Sequence, residues 1–257
     1  MRGDTKALVQ AILAGGVIGL LISSFRRKPE PGVQADCSLV TPEGGRVAGV
    51  RYLESVTGGG DPSQPLPMLV VFHSRGASAA GAAKFGGIQT PVRVIRPEGT
   101  VRLSSNAPSW FTLPSKTSDT ETYHREMSER SAELGRFLAE LVQCRPTVGR
   151  PVVTGTSEGA HVAYLLASQN AGQVQGAVAL LGYLPQPFWN SGMAPTVGMH
   201  GTNDNTVPYA RTKTYWDAMQ GRGANLATQS FPTGHSVSSG MTSAWYSAVR
   251  QMLGVPA

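Results

Sequence analysis

Cysteine is scarce in this chain: Cys37 and Cys144 are the only two, and they stand at neither metal-binding nor redox-motif spacing. They are either one disulfide or two thiols, depending on whether the chain meets an oxidising compartment. Clusters of His, Asp and Glu at metal-ligand spacing are missing, as is a phosphate-cradling glycine loop, so no metal and no cofactor is expected. Charged residues make up only 15% of the chain, yet the net charge is +6. Residues 1–30 carry five Lys/Arg against two Asp/Glu and so hold half of that excess. No basic cluster interleaved with aromatics follows, which argues against nucleic acid as a partner. No internal repeat is present. Carboxylates also run out: beyond Glu158 only the side chains of Asp204 and Asp217 remain.

One long apolar run is present. Ala7 to Phe25 is mostly apolar, with Arg2 and Lys6 before it and Arg26-Arg27-Lys28 after it. A run of that length is enough to span a bilayer. The expectation is therefore an N-terminal anchor or leader over residues 1–30, membrane-inserted through 7–25, with its side unresolved. A cleaved leader of an exported protein is the competitor, and a buried helix a further alternative.

Residues 31–257 suffice for one large α/β domain with a sizeable core. Apolar runs predict strands near 47–55, 67–73, 92–97, 151–155, 176–181, 195–200 and 226–231. Helical patterns fall near 78–86, 120–143, 158–170, 207–220 and 237–253. The run Pro67 to Phe72 is apolar throughout, as expected of a strand covered on both faces in a mostly parallel sheet.

The stretch Gly155-Thr156-Ser157-Glu158-Gly159, directly after Pro151-Val152-Val153, reads as a nucleophile elbow: a strand, a sharp turn carrying a serine, then a helix. In a chain with 31 glycines the pattern alone is weak, and an ordinary Gly-Ser turn shares it. Order supplies what the pattern lacks. In α/β-hydrolases the acid and then the base follow the serine along the chain. Asp217 falls in a helical pattern, on a solvated face. Asp204 falls in the loop leaving a strand's C-terminal end, where open α/β sheets gather their sites; an Asx-turn or helix cap is its alternative reading. Beyond Asp204 the only histidine is His235, in Thr233-Gly234-His235-Ser236. A serine hydroxyl needs a base near neutral pH, and a carboxylate fixes that base's tautomer. Ser157, Asp204 and His235 are thus the candidate catalytic residues. His161, one turn into the elbow helix, reads as packing or surface.

In these segments and others, the chain resembles the carboxylesterase/phospholipase branch of the α/β-hydrolases, the group that includes acyl-protein thioesterases. The family's His-Gly-x-Gly oxyanion loop is similar to His73-Ser74-Arg75-Gly76. Its Trp-Phe segment is similar to Trp110-Phe111, and the Gly-Tyr-Leu-Pro after the sixth strand stands as Gly182 to Pro185. The acid loop resembles His200-Gly201 through Asp204 to Val207-Pro208, and the base loop Gly234-His235-Ser236. Six segments fall in family order between about Leu66 and Leu253. The resemblance implies an α/β-hydrolase fold, with a mostly parallel central sheet flanked by helices. Only about 13 residues separate Gly182 from Pro195, so no large cap domain is expected. It also implies a carboxylic ester (or thioester) hydrolase acting on a small-molecule ester, with backbone N–H groups of Glu158 and Arg75 as the oxyanion hole. A peptidase or amidase on the same triad, or a non-catalytic membrane-anchored binding protein, are the rival readings. Ser74 replaces a glycine of the family pattern, Glu158 a glutamine and Thr112 an aspartate, so acyl specificity need not follow the family's. The Arg75 side chain reads as a solvated surface arginine ahead of pairing with Glu158 or binding an acidic substrate. Trp110, Phe111, Phe188 and Trp189 are candidates for lining the substrate pocket, with core packing as the equal alternative.

Overall fold

The structure, a computed structural model, describes residues 34–85 and 87–256. Within these residues eleven strands form in chain order: β1 (Val40–Thr41), β2 (Gly44–Val47), β3 (Val50–Val56), β4 (Met68–Phe72), β5 (Arg93–Pro97), β6 (Val101–Arg102), β7 (Pro108–Ser109), β8 (Val152–Thr156), β9 (Gly176–Leu180), β10 (Thr196–Gly201) and β11 (Leu226–Phe231). Among the described residues four α-helices accompany them: α1 (Thr120–Cys144), α2 (Glu158–Gln169), α3 (Tyr209–Gly221) and α4 (Ser239–Leu253).

Nine strands make one sheet in the order β1-β2-β3-β5-β4-β8-β9-β10-β11. The edge from β1 to β3 is antiparallel, and β3 meets β5 antiparallel. From β5 onward all neighbours are parallel. Strand β4 shows why its sequence is unbroken in apolar character. Val70 and Phe72 face the layer built by α1, α2 and α3, while Leu69 and Val71 face the layer built by α4. A strand with a hydrophobic layer on each face has no polar position to offer. The expected strands and helices are present with shifted ends, save that 78–86 is a 3₁₀ turn, Ala80–Phe85, rather than an α-helix. Between β9 and β10 the chain makes only a short 3₁₀ turn, Gln186–Phe188, so no large cap covers the sheet's C-terminal edge.

Cys37 and Cys144 are joined as a disulfide, tying the segment before β1 to the end of α1. Beside it, Glu54 of β3 is buried and pairs with two arginines, Arg93 and Arg145.

The expectation of a membrane anchor is corrected. Among the described residues no helix is long and apolar enough to cross a membrane. Helix α1 has 25 residues but carries charged side chains along its length; α2 is apolar but has 12, about 18 Å at 1.5 Å per residue, against about 30 Å of hydrocarbon. Residues 7–25, which carried the expectation, lie outside the described residues, and no membrane location is assigned to the chain.

Candidate active site

Ser157 is the single residue between β8 and α2, with φ 57° and ψ −118°. Positive φ is costly for a residue with a Cβ, and such strain collects at functional sites. Neighbouring glycines make the turn possible. A Cβ on Gly155 would lie 2.3 Å from the Gly159 carbonyl oxygen, and one on Gly159 would lie 2.2 Å from that of Phe72. The turn is held by the Ser157 N–H, which donates to the Leu180 carbonyl of β9 at 2.8 Å.

Asp204 lies in the loop after β10 and is buried. Its Oδ1 accepts from the backbone N–H groups of Thr206 and Val207, both at 2.9 Å. Its Oδ2 accepts from His235 Nδ1 at 2.7 Å. The Asx-turn and the histidine partnership are therefore both present, each on its own oxygen. With Nδ1 donating to the carboxylate, His235 Nε2 is the lone-pair nitrogen, and it stands 2.9 Å from Ser157 Oγ.

The acid and base loops are laced together. Thr202 N–H donates to Phe231 O, and Asn203 N–H to Thr233 O. Gly201 permits this approach, since a Cβ there would lie 2.3 Å from the Thr233 carbonyl oxygen. His200 adds a second imidazole to the acid: its Nε2 donates to Val207 O at 2.9 Å and lies 3.2 Å from Asp204 Oδ2. Burial pushes the His200 pKa below the ordinary histidine value, which keeps that ring neutral.

Arg75 lies on the loop leaving β4, and Glu158 is the first residue of α2. Neither backbone N–H donates to a protein acceptor among the described residues. The Arg75 side chain is not a free surface arginine, which corrects the sequence expectation. Its Nη1 bonds Glu158 Oε1 at 2.9 Å and reaches the Phe111 and Leu113 carbonyls; its Nη2 donates to Thr112 O. Glu158 turns away from Ser157. It accepts from Ser109 Oγ at 2.8 Å and from the Trp110 N–H at 2.9 Å. Burial pushes its pKa up, opposed by those donors and by Arg75.

A cavity of about 640 Å³ opens on Ser157 and His235. Leu181, Val237, Thr242, Trp245 and Tyr246 line it, with Ser74, Arg75 and Ser236. The predicted pocket aromatics lie elsewhere. Trp110 and Phe111 are wholly buried in the core, Phe188 packs there too, and Trp189 lines a separate cleft beneath the Arg222 guanidinium. Their apolar area is consumed by the layer under α1 and α2. Trp110 nevertheless supports the site indirectly: its indole N–H donates to the His73 carbonyl, at the root of the Arg75 loop. Residues of α4 escaped sequence reasoning because a helix beyond the base loop looks like any amphipathic helix. The i, i+4 pair Thr242 and Tyr246 was the available signal. Among the described residues, no group of three or more His, Cys, Asp or Glu side chains is placed to hold a metal ion.

A profile of the phospholipase/carboxylesterase family matches residues 54–252. Among solved structures, the chain is similar to acyl-protein thioesterase 2 of Zea mays (21% identity, TM-score 0.62), with 78% of this chain and 99% of that one covered. It is also similar to a Bacillus cereus carboxylesterase (20% identity, TM-score 0.63), with 79% and 94% covered. At these identities the likeness speaks for the fold, which is the α/β-hydrolase fold of carboxylesterase- and thioesterase-type hydrolases. The family match spans most of the chain, from β3 to the end of α4, and on that ground the chain belongs to the phospholipase/carboxylesterase family.

Proposed function

We propose that the chain is a serine esterase that cleaves uncharged carboxylic esters or thioesters through an acyl-enzyme. The observation that carries this is the unbroken hydrogen-bond chain from Ser157 Oγ through His235 to Asp204, at 2.9 and 2.7 Å. Ser157 Oγ attacks the carbonyl carbon while its proton passes to His235 Nε2. The oxyanion is held by the N–H groups of Glu158 and Arg75. The bond to the alcohol (or thiol) then breaks, and His235 returns the proton to the leaving group. Water repeats the sequence: His235 takes its proton, the hydroxyl adds to the acyl carbon, and Ser157 leaves with the proton restored. Asp204 holds the ring and stabilises its cationic form without being protonated.

Substrate charge follows from Arg75. Among the described residues it is the one cationic side chain on the cavity wall, and its guanidinium is already taken by Glu158 and three carbonyls. Neutral esters are therefore the expected class. The test is hydrolysis of neutral and anionic nitrophenyl esters by wild type and Ser157→Ala. Wild type should prefer the neutral ester, and the variant should lose about 10⁴-fold or more in kcat/KM. Equal hydrolysis by Ser157→Ala would remove Ser157 from the chemistry.

A further inference from the structure

Three residues depart from the family pattern around the proposed oxyanion hole, or fill its variable position: Ser74, Arg75 and Glu158. In the structure they are the residues that join the two sides of that hole. Ser74 Oγ donates to the Thr156 carbonyl at 3.0 Å, from the loop after β4 to the end of β8. Arg75 Nη1 and Glu158 Oε1 pair at 2.9 Å across the same gap. Both carboxylate oxygens of Glu158 are engaged, since Ser109 Oγ and the Trp110 N–H also donate to them. Arg75 is similarly fixed by the carbonyls of Phe111, Thr112 and Leu113. Trp110 closes the ring of contacts by donating to His73 O.

The consequence is geometric. The two residues whose N–H groups would face an oxyanion are tied to each other by their own side chains. One of those N–H groups sits on a loop, where position is otherwise poorly fixed. Oxyanion stabilisation depends on donors already aimed at the developing charge, and small displacements are costly. A glutamine at position 158 can keep the Ser109 and Trp110 contacts but carries no charge to hold Arg75.

We propose that the Arg75–Glu158 ion pair is a positioning device that sets the spacing of the two oxyanion-hole N–H groups, with Ser74 as a second tie. The side chains act through the backbone donors and touch no reacting atom. This rests on the esterase proposal above.

The test uses Glu158→Gln, Arg75→Met, Arg75→Lys and the Glu158→Gln/Arg75→Met double variant on the intact protein, with thermal melting as a check of folding. Each single variant is expected to lower kcat by about 10- to 100-fold, less than the about 10²- to 10³-fold for removing a donor outright. KM should stay within about twofold. Inhibition by phenylboronic acid, which becomes a tetrahedral anion on the serine, should weaken in parallel with kcat. Arg75→Lys, which keeps the charge, should recover part of the Arg75→Met loss. The double variant should be no worse than the weaker of the two singles, because one pair is broken in each case. The proposal is overturned if Glu158→Gln keeps kcat within twofold of wild type. It is equally overturned if the losses fall in KM with boronate affinity unchanged, or multiply in the double variant. Glu158→Gln is nearly isosteric, so it remains decisive if Arg75→Met fails to fold. Inactive wild-type protein would instead count against the esterase proposal, which separates the two failures.

Discussion

Gly159 illustrates how little freedom the elbow leaves at the level of single residues. Its missing Cβ lets α2 pass the Phe72 carbonyl of β4, and a methyl would meet backbone at 2.2 Å rather than a yielding side chain. Gly159→Ala should destabilise the fold by about 1–3 kcal/mol or more and slow the Ser157 reaction, because relief requires moving the helix that carries the nucleophile. Urea midpoints and ester turnover on the same sample would check both. That Ser157, Asp204 and His235 come together was legible in the sequence because few residues of the right type remained downstream. Arg75 and Glu158 were not. Whether a surface-loop arginine pairs with a helix-terminal glutamate depends on two loops meeting, which periodicity does not encode. The pocket aromatics failed for a related reason: the backbone of Trp110 and Phe111 touches the Glu158 and Arg75 side chains, yet their rings fill the core.

Elements were easier to read than their edges. Strands β4, β8, β9 and β10 are buried along their whole length, as a covered parallel sheet needs, and lie where the sequence put them, as does the half-polar edge strand β11. The two-residue strands β1, β6 and β7 have no pattern of their own, since tertiary partners alone define them. The stretch around Ala80–Phe85 has helix-forming composition but is too short to sustain an α-helix without support, and it closes as a 3₁₀ turn. At the antiparallel edge, buried Glu54 of β3 holds both Arg93 and Arg145, and Arg145 also donates to Thr41 O. Glu54→Ala would strand two guanidinium groups and should cost about 3–5 kcal/mol, read as a lowered urea midpoint. The Cys37–Cys144 bond closes a chain separation of 107 residues at this same edge. Its reduction should lower the unfolding free energy by about 2–4 kcal/mol without altering the triad, which lies at the other end of the strands. A melting temperature unchanged by reductant would contradict that.

Three buried histidines give the whole molecule an acid sensitivity. Burial lowers the pKa of His73, His161 and His200, that of His161 down to about 3. The unfolded chain then binds protons that the folded one refuses, so stability rises with pH through this range. Unfolding midpoints should accordingly fall as pH drops below about 6.5, continuing toward about 3 for His161. His161→Gln should flatten that slope; an unchanged slope would assign the effect elsewhere. Half of the chain's positive net charge belongs to residues 1–30. In the proposed function the chemistry rests on one serine, set between β8 and α2 and hydrogen-bonded toward the loops after β10 and β11. Incubation with a fluorophosphonate, followed by peptide mass mapping, tests that centre directly. The account predicts a single adduct on Ser157 of wild type and none on Ser157→Ala. Folded wild-type protein that stays unlabelled, or carries its adduct on another serine, would contradict it.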